Sequence, residues 1–231
     1  MRSQPPLSRL VLTALLGPNF AVAVAAPRLV NEELFPDERR HVAHAVEKRQ
    51  AEFGTARVCA RHALDQLGIP SCSLVPYPDR SPRWPNGIIG SISHTEGCCA
   101  VSVTRAAHIV GFGLDVEMDT PLPPELEPMI CTASERVWLS LQPPENRGSL
   151  GKLFFSAKEA FYKCQYRTTQ TLIDFQDVEL TVDLVRGAFS IAGIGHQGPC
   201  WDRIWRTTGK FRLSGGMIVT TAILTSNDGL L

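Results

Sequence analysis

Two short segments carry charges whose spacing could do chemistry. In "GFGLDVE", read as a strand, alternate side chains share a face, so Asp115 and Glu117 project together while Leu114 and Val116 go to the other side. Two neighbouring carboxylates repel unless a cation lies between them, and the flanking residues supply no base. A hard divalent cation, Mg2+ foremost, resolves this with oxygen ligands. Two solvated acids at a strand end are the plainer alternative. The second segment, "FSAKEAFYKCQY", reads as a helix from Phe155 to Tyr166. Glu159 and Lys163 fall one turn apart on it, about 40° around the axis. That is also the spacing of an ordinary surface pair, worth only about 0.3–0.5 kcal/mol. The surrounding Phe154, Phe155, Ala160, Phe161 and Tyr162 leave almost no other polar arc, which makes a pocket wall the better expectation. Lys158, about 100° away from Glu159, is given a supporting role at most.

Weaker signals lie upstream. "GSISHTEG" is a short strand with Ser91, Ser93 and His94, hydroxyls and an imidazole suited to phosphate oxygens. Arg49, Arg57 and Arg61 fall at spacings of eight and four, roughly along one side of a helix, which suits a phosphate and equally suits solvent. His41 and His44 have nothing nearby to complete a metal site and read as surface residues.

The elements that must hold these residues follow from periodicity and punctuation. "FAVAVAA" alternates bulky and small residues as a first β-strand would. The preceding apolar stretch from Leu10 to Leu16, with Arg2 and Arg9, imitates a secretory leader, but Gly17-Pro18-Asn19 interrupts it early. A helix starting at Pro36 and Asp37 is expected, with Val42, Ala45 and Val46 on its apolar face, then a second from about Gly54 to Leu67, stopped by Gly68 and Pro70. Strands follow at 88–93, 98–104 and 109–117. "MDTPLPPELEP" reads as a linker, and helices are expected at 132–141, with Thr132 or Ser134 as cap, and at 150–166. Strands at 178–185, 188–191, 201–208 and 217–224 close the chain. The fold class is α+β, with helices leading into an antiparallel meander once on each side of residue 120. The domain reading is an N-terminal half, 1–118, and a C-terminal half, 119–231.

Bulk composition narrows the function. A chain of 231 residues with 44% hydrophobic and 20% charged residues is an ordinary globular protein. Zero net charge argues against bulk electrostatic binding to nucleic acid or anionic membrane. No apolar run approaches the length of a transmembrane span. Locally the balance shifts: bases predominate between Arg39 and Arg83, and Asp115 to Glu135 contains acids with no Lys or Arg. That order suits a phosphorylated ligand followed by a metal. Seven cysteines, an odd count without regular spacing, suit buried free thiols in a reducing cytoplasm.

Taken in order, "FGTARVCARHALDQLG", "PRWPNGIIGSISH", "GFGLDVE" and "FFSAKEAFYKCQY" resemble the 4'-phosphopantetheinyl transferases, and within them the subgroup of enterobactin synthase component D. The resemblance runs from about Phe20 to Leu224. It implies two pseudo-symmetric α+β halves, each with helices on a small, mainly antiparallel sheet, and coenzyme A in the cleft between them. The reaction it implies is Mg2+-dependent transfer of phosphopantetheine from coenzyme A to a serine of an apo peptidyl, aryl or acyl carrier protein, releasing 3',5'-ADP, in siderophore or other secondary-metabolite biosynthesis. It implies Mg2+ on Asp115, Glu117 and Glu159, with Glu117 acting directly or through water. Glu159 is then the candidate base and Lys163 meets the coenzyme A phosphates. Arg49, Arg57, Arg83, Ser93 and His94 match positions associated with the 3'-phosphate and adenosine end. Another Mg2+-dependent phosphotransferase or hydrolase, or a non-catalytic carrier-binding protein, are the competing readings. Two halves in one chain remove the need for a dimer, so a monomer is expected.

Overall fold

In the computed structural model, which describes residues 7–226, the chain divides into two compact units that meet in sequence at Ala107 and His108. The first begins with α1 (Arg9–Leu16), capped by the Ser8 hydroxyl, which accepts from the Leu10 amide. The leader-like run is thus an amphipathic helix with Leu12, Leu15 and Leu16 buried, ended by Gly17 at φ +79°. Arg2 lies outside the described residues. There follow β1 (Phe20–Ala25), α2 (Pro36–Val42), α3 (Glu47–Asp65), β2 (Ile89–Thr95) and β3 (Cys98–Thr104). The sheet order is β1-β3-β2, antiparallel throughout. α3 lies on it through Cys59, Ala60, Ala63 and Leu64, against Ala21, Ala23, Val101 and Val103.

The second unit contains β4 (Ile109–Met118), the one-turn α4 (Glu127–Ile130), α5 (Ala133–Ser140), α6 (Pro144–Thr169), β5 (Val178–Asp183), β6 (Ala188–Ile194), α7 (Pro199–Ile204), β7 (Thr208–Ser214) and β8 (Met217–Thr225). Its antiparallel sheet has the order β4-β8-β7-β6-β5. Each unit therefore runs strand, long helix, then meander, and the last strand returns to pair with the first. The core between α6 and this sheet holds Phe154, Ala157, Ala160, Phe161, Ile218, Ala222 and Leu224. Among the described residues no helix is long and apolar enough to cross a membrane.

The α+β class holds, and several expectations change. β4 pairs with β8 and carries α6, so Asp115 and Glu117 belong to the second unit, whereas the sequence-based division after 118 left them in the first. α2 ends at Val42, and Val46, 75% exposed, is the N-cap of α3 rather than part of an apolar face. α3 runs through Gly54, where a Cβ would come within 2.5 Å of the Val30 side chain: this glycine permits close packing and does not start the helix. The expected strand at 201–208 is instead α7, which begins with Pro199 in its first turn and buries Trp201 and Ile204 one turn apart. β7 follows it.

Candidate active site

β4 and α6 approach because two glycines let them. A Cβ on Gly113 would lie 1.8 Å from the Ala160 carbonyl oxygen, and one on Gly111 would lie 2.6 Å from that of Cys164. With the backbones this close, Asp115, next on the same face of β4, reaches straight onto α6. Its Oδ1 accepts from Lys163 Nζ at 2.8 Å and its Oδ2 from Ser156 Oγ at 2.8 Å. Lys163 Nζ also donates to the Leu114 carbonyl at 3.1 Å. The hydroxyls of Ser156 and Thr220, the β8 residue opposite Asp115, lie 2.9 Å apart, and the Thr220 hydroxyl donates to the Ser156 carbonyl at 2.8 Å. Asp115 is buried; Lys163 keeps about a quarter of its side chain exposed, at 27%.

Glu117, two residues on, pairs with Lys152 of α6 at 3.2 Å. Lys152, Ser156, Glu159 and Lys163, at spacings of four, three and four, form one stripe along α6. Glu159 is the exception in that stripe. Among the described residues it takes no hydrogen bond or ion pair, and its carboxyl is pushed up by burial, then by the charges of Asp115 and Glu117, with Lys163 opposing. Burial and Asp115 raise Glu117 too, against Lys152. A cavity of about 360 Å³ opens beside Glu159, lined by Tyr162, Leu172, Ile173, Phe175 and Val178, with Lys158 and Asp174 at its wall.

Three oxygen-donor carboxylates on neighbouring stretches of β4 and α6, with the Asp115 charge raising both Glu117 and Glu159, suit a hard divalent cation. They do not form a ready cage: no three His, Cys, Asp or Glu among the described residues stand close enough to hold a metal as they are. Two of them are held by ammonium groups.

Lys158 is held differently from Lys152 and Lys163. It is buried, with its ammonium 2.7 Å from the Glu135 carboxylate and donating to the carbonyls of Ile130 and Phe175, both at 2.8 Å. Glu135 in turn accepts from the amides of Thr132 and Leu180, each at 2.8 Å, and closes a capping box at the start of α5.

The upstream candidates lie in the first unit. Arg49 and His94 meet, with an Arg49 guanidinium nitrogen 3.2 Å from His94 Nε2, and Glu52 stands 3.7 Å from His94 Nδ1. Ser93 is buried on the opposite face of β2 from His94, because neighbouring strand residues alternate, so these two do not form one cluster. Arg57 is buried, its Nε donating to the Leu74 carbonyl at 2.9 Å and its guanidinium over the Phe53 ring. Burial pulls its pKa down to about 10. Arg61, grouped with these in the sequence, is engaged instead by the buried Glu38 at 2.9 Å. Arg83 is exposed and lies over the Tyr77 ring.

Comparison with known proteins matches this arrangement to one family. Residues 37–104 match the model of the 4'-phosphopantetheinyl transferase N-terminal domain, and residues 111–213 that of the 4'-phosphopantetheinyl transferase superfamily. The 4'-phosphopantetheinyl transferase Svp of Streptomyces mobaraensis is 37% identical, over 94% of this chain and 91% of its own length. The chain belongs to the 4'-phosphopantetheinyl transferases. PptT of Mycobacterium tuberculosis is 29% identical to this transferase, covering 82% of the chain and 85% of its own length. Enterobactin synthase component D of Salmonella typhi is 33% identical over 58% of the chain and 55% of its own length. The holo-[acyl-carrier-protein] synthase of Thermotoga maritima is similar over 52% of the chain, at 20% identity and a TM-score of 0.39.

Sequence reasoning singled out Asp115, Glu117, Glu159 and Lys163, which the fold brings together on β4 and α6. It did not single out Ser156, Thr220 and Lys152, which contact Asp115 or Glu117 directly or through one another. The stripe at 152, 156, 159 and 163 was available as a signal, since those positions must share a helix face.

Proposed function

We propose that this transferase moves 4'-phosphopantetheine from coenzyme A to a serine hydroxyl of an apo peptidyl, aryl or acyl carrier protein of secondary metabolism, siderophore assembly included, releasing 3',5'-ADP. The observation that supports this most is Glu159: a half-buried carboxylate without a hydrogen-bond partner among the described residues, one helical turn from Lys163 and beside an open cavity. Such a group is a proton acceptor held ready.

In this reading Glu159 takes the proton as the serine oxygen forms its bond to phosphorus and the pyrophosphate P–O bond breaks. Lys163, already fixed by Asp115, meets the negative charge that collects on the departing phosphate. Ser156 and Thr220 keep Asp115 in place. Asp115, Glu117 and Glu159 would hold Mg2+, which supplies neutralisation of the pyrophosphate oxygens when bound. The cavity beside Glu159, apolar along Leu172, Ile173, Phe175 and Val178, would take the uncharged pantetheine arm. Arg49 and His94, which meet on one face, would serve the 3'-phosphate and adenosine end together with Arg57 and Arg83; Ser93, on the opposite face of β2, would not share that cluster. The protein acts in the cytoplasm as a monomer.

The test is intact-mass analysis of purified apo peptidyl, aryl and acyl carriers after incubation with the protein, coenzyme A and Mg2+, with and without chelator. A chelator-sensitive gain of one phosphopantetheine on a carrier is expected. No gain on any of the three, from folded protein that binds coenzyme A, would sink the reading in favour of a hydrolase or a binding-only protein.

A further inference from the structure

Lys152 has no part in the mechanism above, yet it is built into the site. Its ammonium stands 3.2 Å from the Glu117 carboxylate, and the two side chains are only 18% and 21% exposed. The ammonium also lies 5.1 Å from the centre of the Phe155 ring, on the helix face that carries Glu159 and Lys163. An exposed pair of this kind would contribute little. A shielded one is different: neither partner can lose the other without facing an unfavourable, half-dry environment. Lys163 on Asp115 repeats the pattern at the other end of the acids. A carboxylate oxygen cannot serve an ammonium and a metal at full strength together. A cation drawn to Glu117 competes with Lys152 for the same carboxylate charge, and an ammonium whose hold on Glu117 is weakened gains from a new anion within reach.

We propose that Lys152 is an exchangeable counter-ion: it holds Glu117 until metal and coenzyme A are both present, then passes to a pyrophosphate oxygen while Glu117 turns to the metal. This rests on Asp115, Glu117 and Glu159 being the metal ligands. Lys152 is then a positioning residue that makes metal and coenzyme A bind cooperatively. Metal alone must compete with it, whereas metal with the pyrophosphate gives it a partner. By linkage each ligand strengthens the other to the same degree.

The probe is Mn2+, its free concentration followed by electron paramagnetic resonance during titration of the full chain, with and without coenzyme A. Lys152→Gln is expected to bind Mn2+ alone about fivefold more tightly or better than the wild type, because the competitor is gone. The gain on adding coenzyme A should shrink by a similar factor, and Lys152→Arg should keep the wild-type pattern. Asp115→Asn separates the two ideas. If it weakens Mn2+ binding while Lys152→Gln leaves both the affinity and the coenzyme gain unchanged, Lys152 is only a brace and the proposal fails. A wild type that binds no Mn2+ in either condition removes the metal reading and the exchange with it.

Discussion

Keeping Glu159 ionised works against folding. Its pKa is raised, first by burial and then by Asp115 and Glu117, while Lys163 pulls the other way. For an acid shifted upward, the folded state binds the proton more tightly than the unfolded chain. The associated stability is complete below the ordinary carboxylate value and is lost as pH rises through the folded pKa. At neutral pH the wild type therefore carries a carboxylate that the fold would rather see neutral. Glu159→Gln removes that charge and keeps the shape. Its melting temperature is expected to exceed the wild type's by roughly a few degrees at pH 7.5. The difference should close as the pH falls towards the ordinary carboxylate value of 4.5. Transfer activity should fall by about 100-fold or more, as expected for loss of a general base. Thermal melts at the two pH values check this; a Gln variant less stable at pH 7.5 would mean that Glu159 has a partner in the fold. Asp115, by contrast, accepts from Lys163 and Ser156, so its removal would cost the fold two contacts.

Two of the lysines of α6, Lys158 and Lys163, show how an element assigns roles that local spacing leaves open. Lys158 and Lys163 read alike in sequence, and the former was given the lesser role. In the fold, Lys158 leaves α6 towards α5 and ties Glu135, Ile130 and Phe175 to the helix at the residue just before Glu159. Lys158→Ala would leave the Glu135 carboxylate buried with its cation gone, which costs about 3–5 kcal/mol. Lys163→Ala removes a partly exposed ammonium and should destabilise less, while Asp115 keeps its bond from Ser156. Urea unfolding of the two variants should order them so; a Lys158→Ala protein as stable as the wild type would refute the brace. Much at this scale was legible beforehand. β1, β3, β4 and the Thr132-capped α5 emerge from alternation and capping chemistry alone. The misreadings share a cause, namely residues whose local meaning a tertiary contact overrides. Gly54 is helical because Val30 needs its space, and Trp201 and Ile204 serve a helix although they also suit a strand. Gly111 and Gly113 were visible as part of a motif, but their reason, the carbonyls of α6 against β4, exists only once the two elements are packed. Lys152 and Ser156 were missed likewise, because their partners depend on the depth at which α6 lies along the strand.

At the scale of the whole chain, the thiols report on both units at once. Cys59, Cys98 and Cys99 are buried in the first unit, and Cys131 and Cys164 in the core of the second; Cys72 is half-buried and Cys200 exposed. No disulfide joins any of these, as the irregular spacing suggested. Reactivity needs thiolate, and burial opposes it: Cys98 is pushed up to about 11, Cys131 and Cys164 to about 12. Access opposes it as well, because a reagent reaches these sulfurs only through opening of the core. The native protein should therefore take a thiol-specific alkylating agent rapidly at Cys200, more slowly at Cys72, and at the other five only on unfolding. Since each unit has its own sheet and its own buried helix, the three thiols of the first should become reactive as one block when urea is raised. The two of the second should form another block, whether or not the blocks open at the same concentration. Peptide mass mapping after short pulses of alkylation measures this directly. Labelling of Cys59 without Cys99, which faces it across the α3–β3 contact, would show that α3 detaches from its sheet before the unit unfolds, and that the core drawn here does not act as a single cooperative layer.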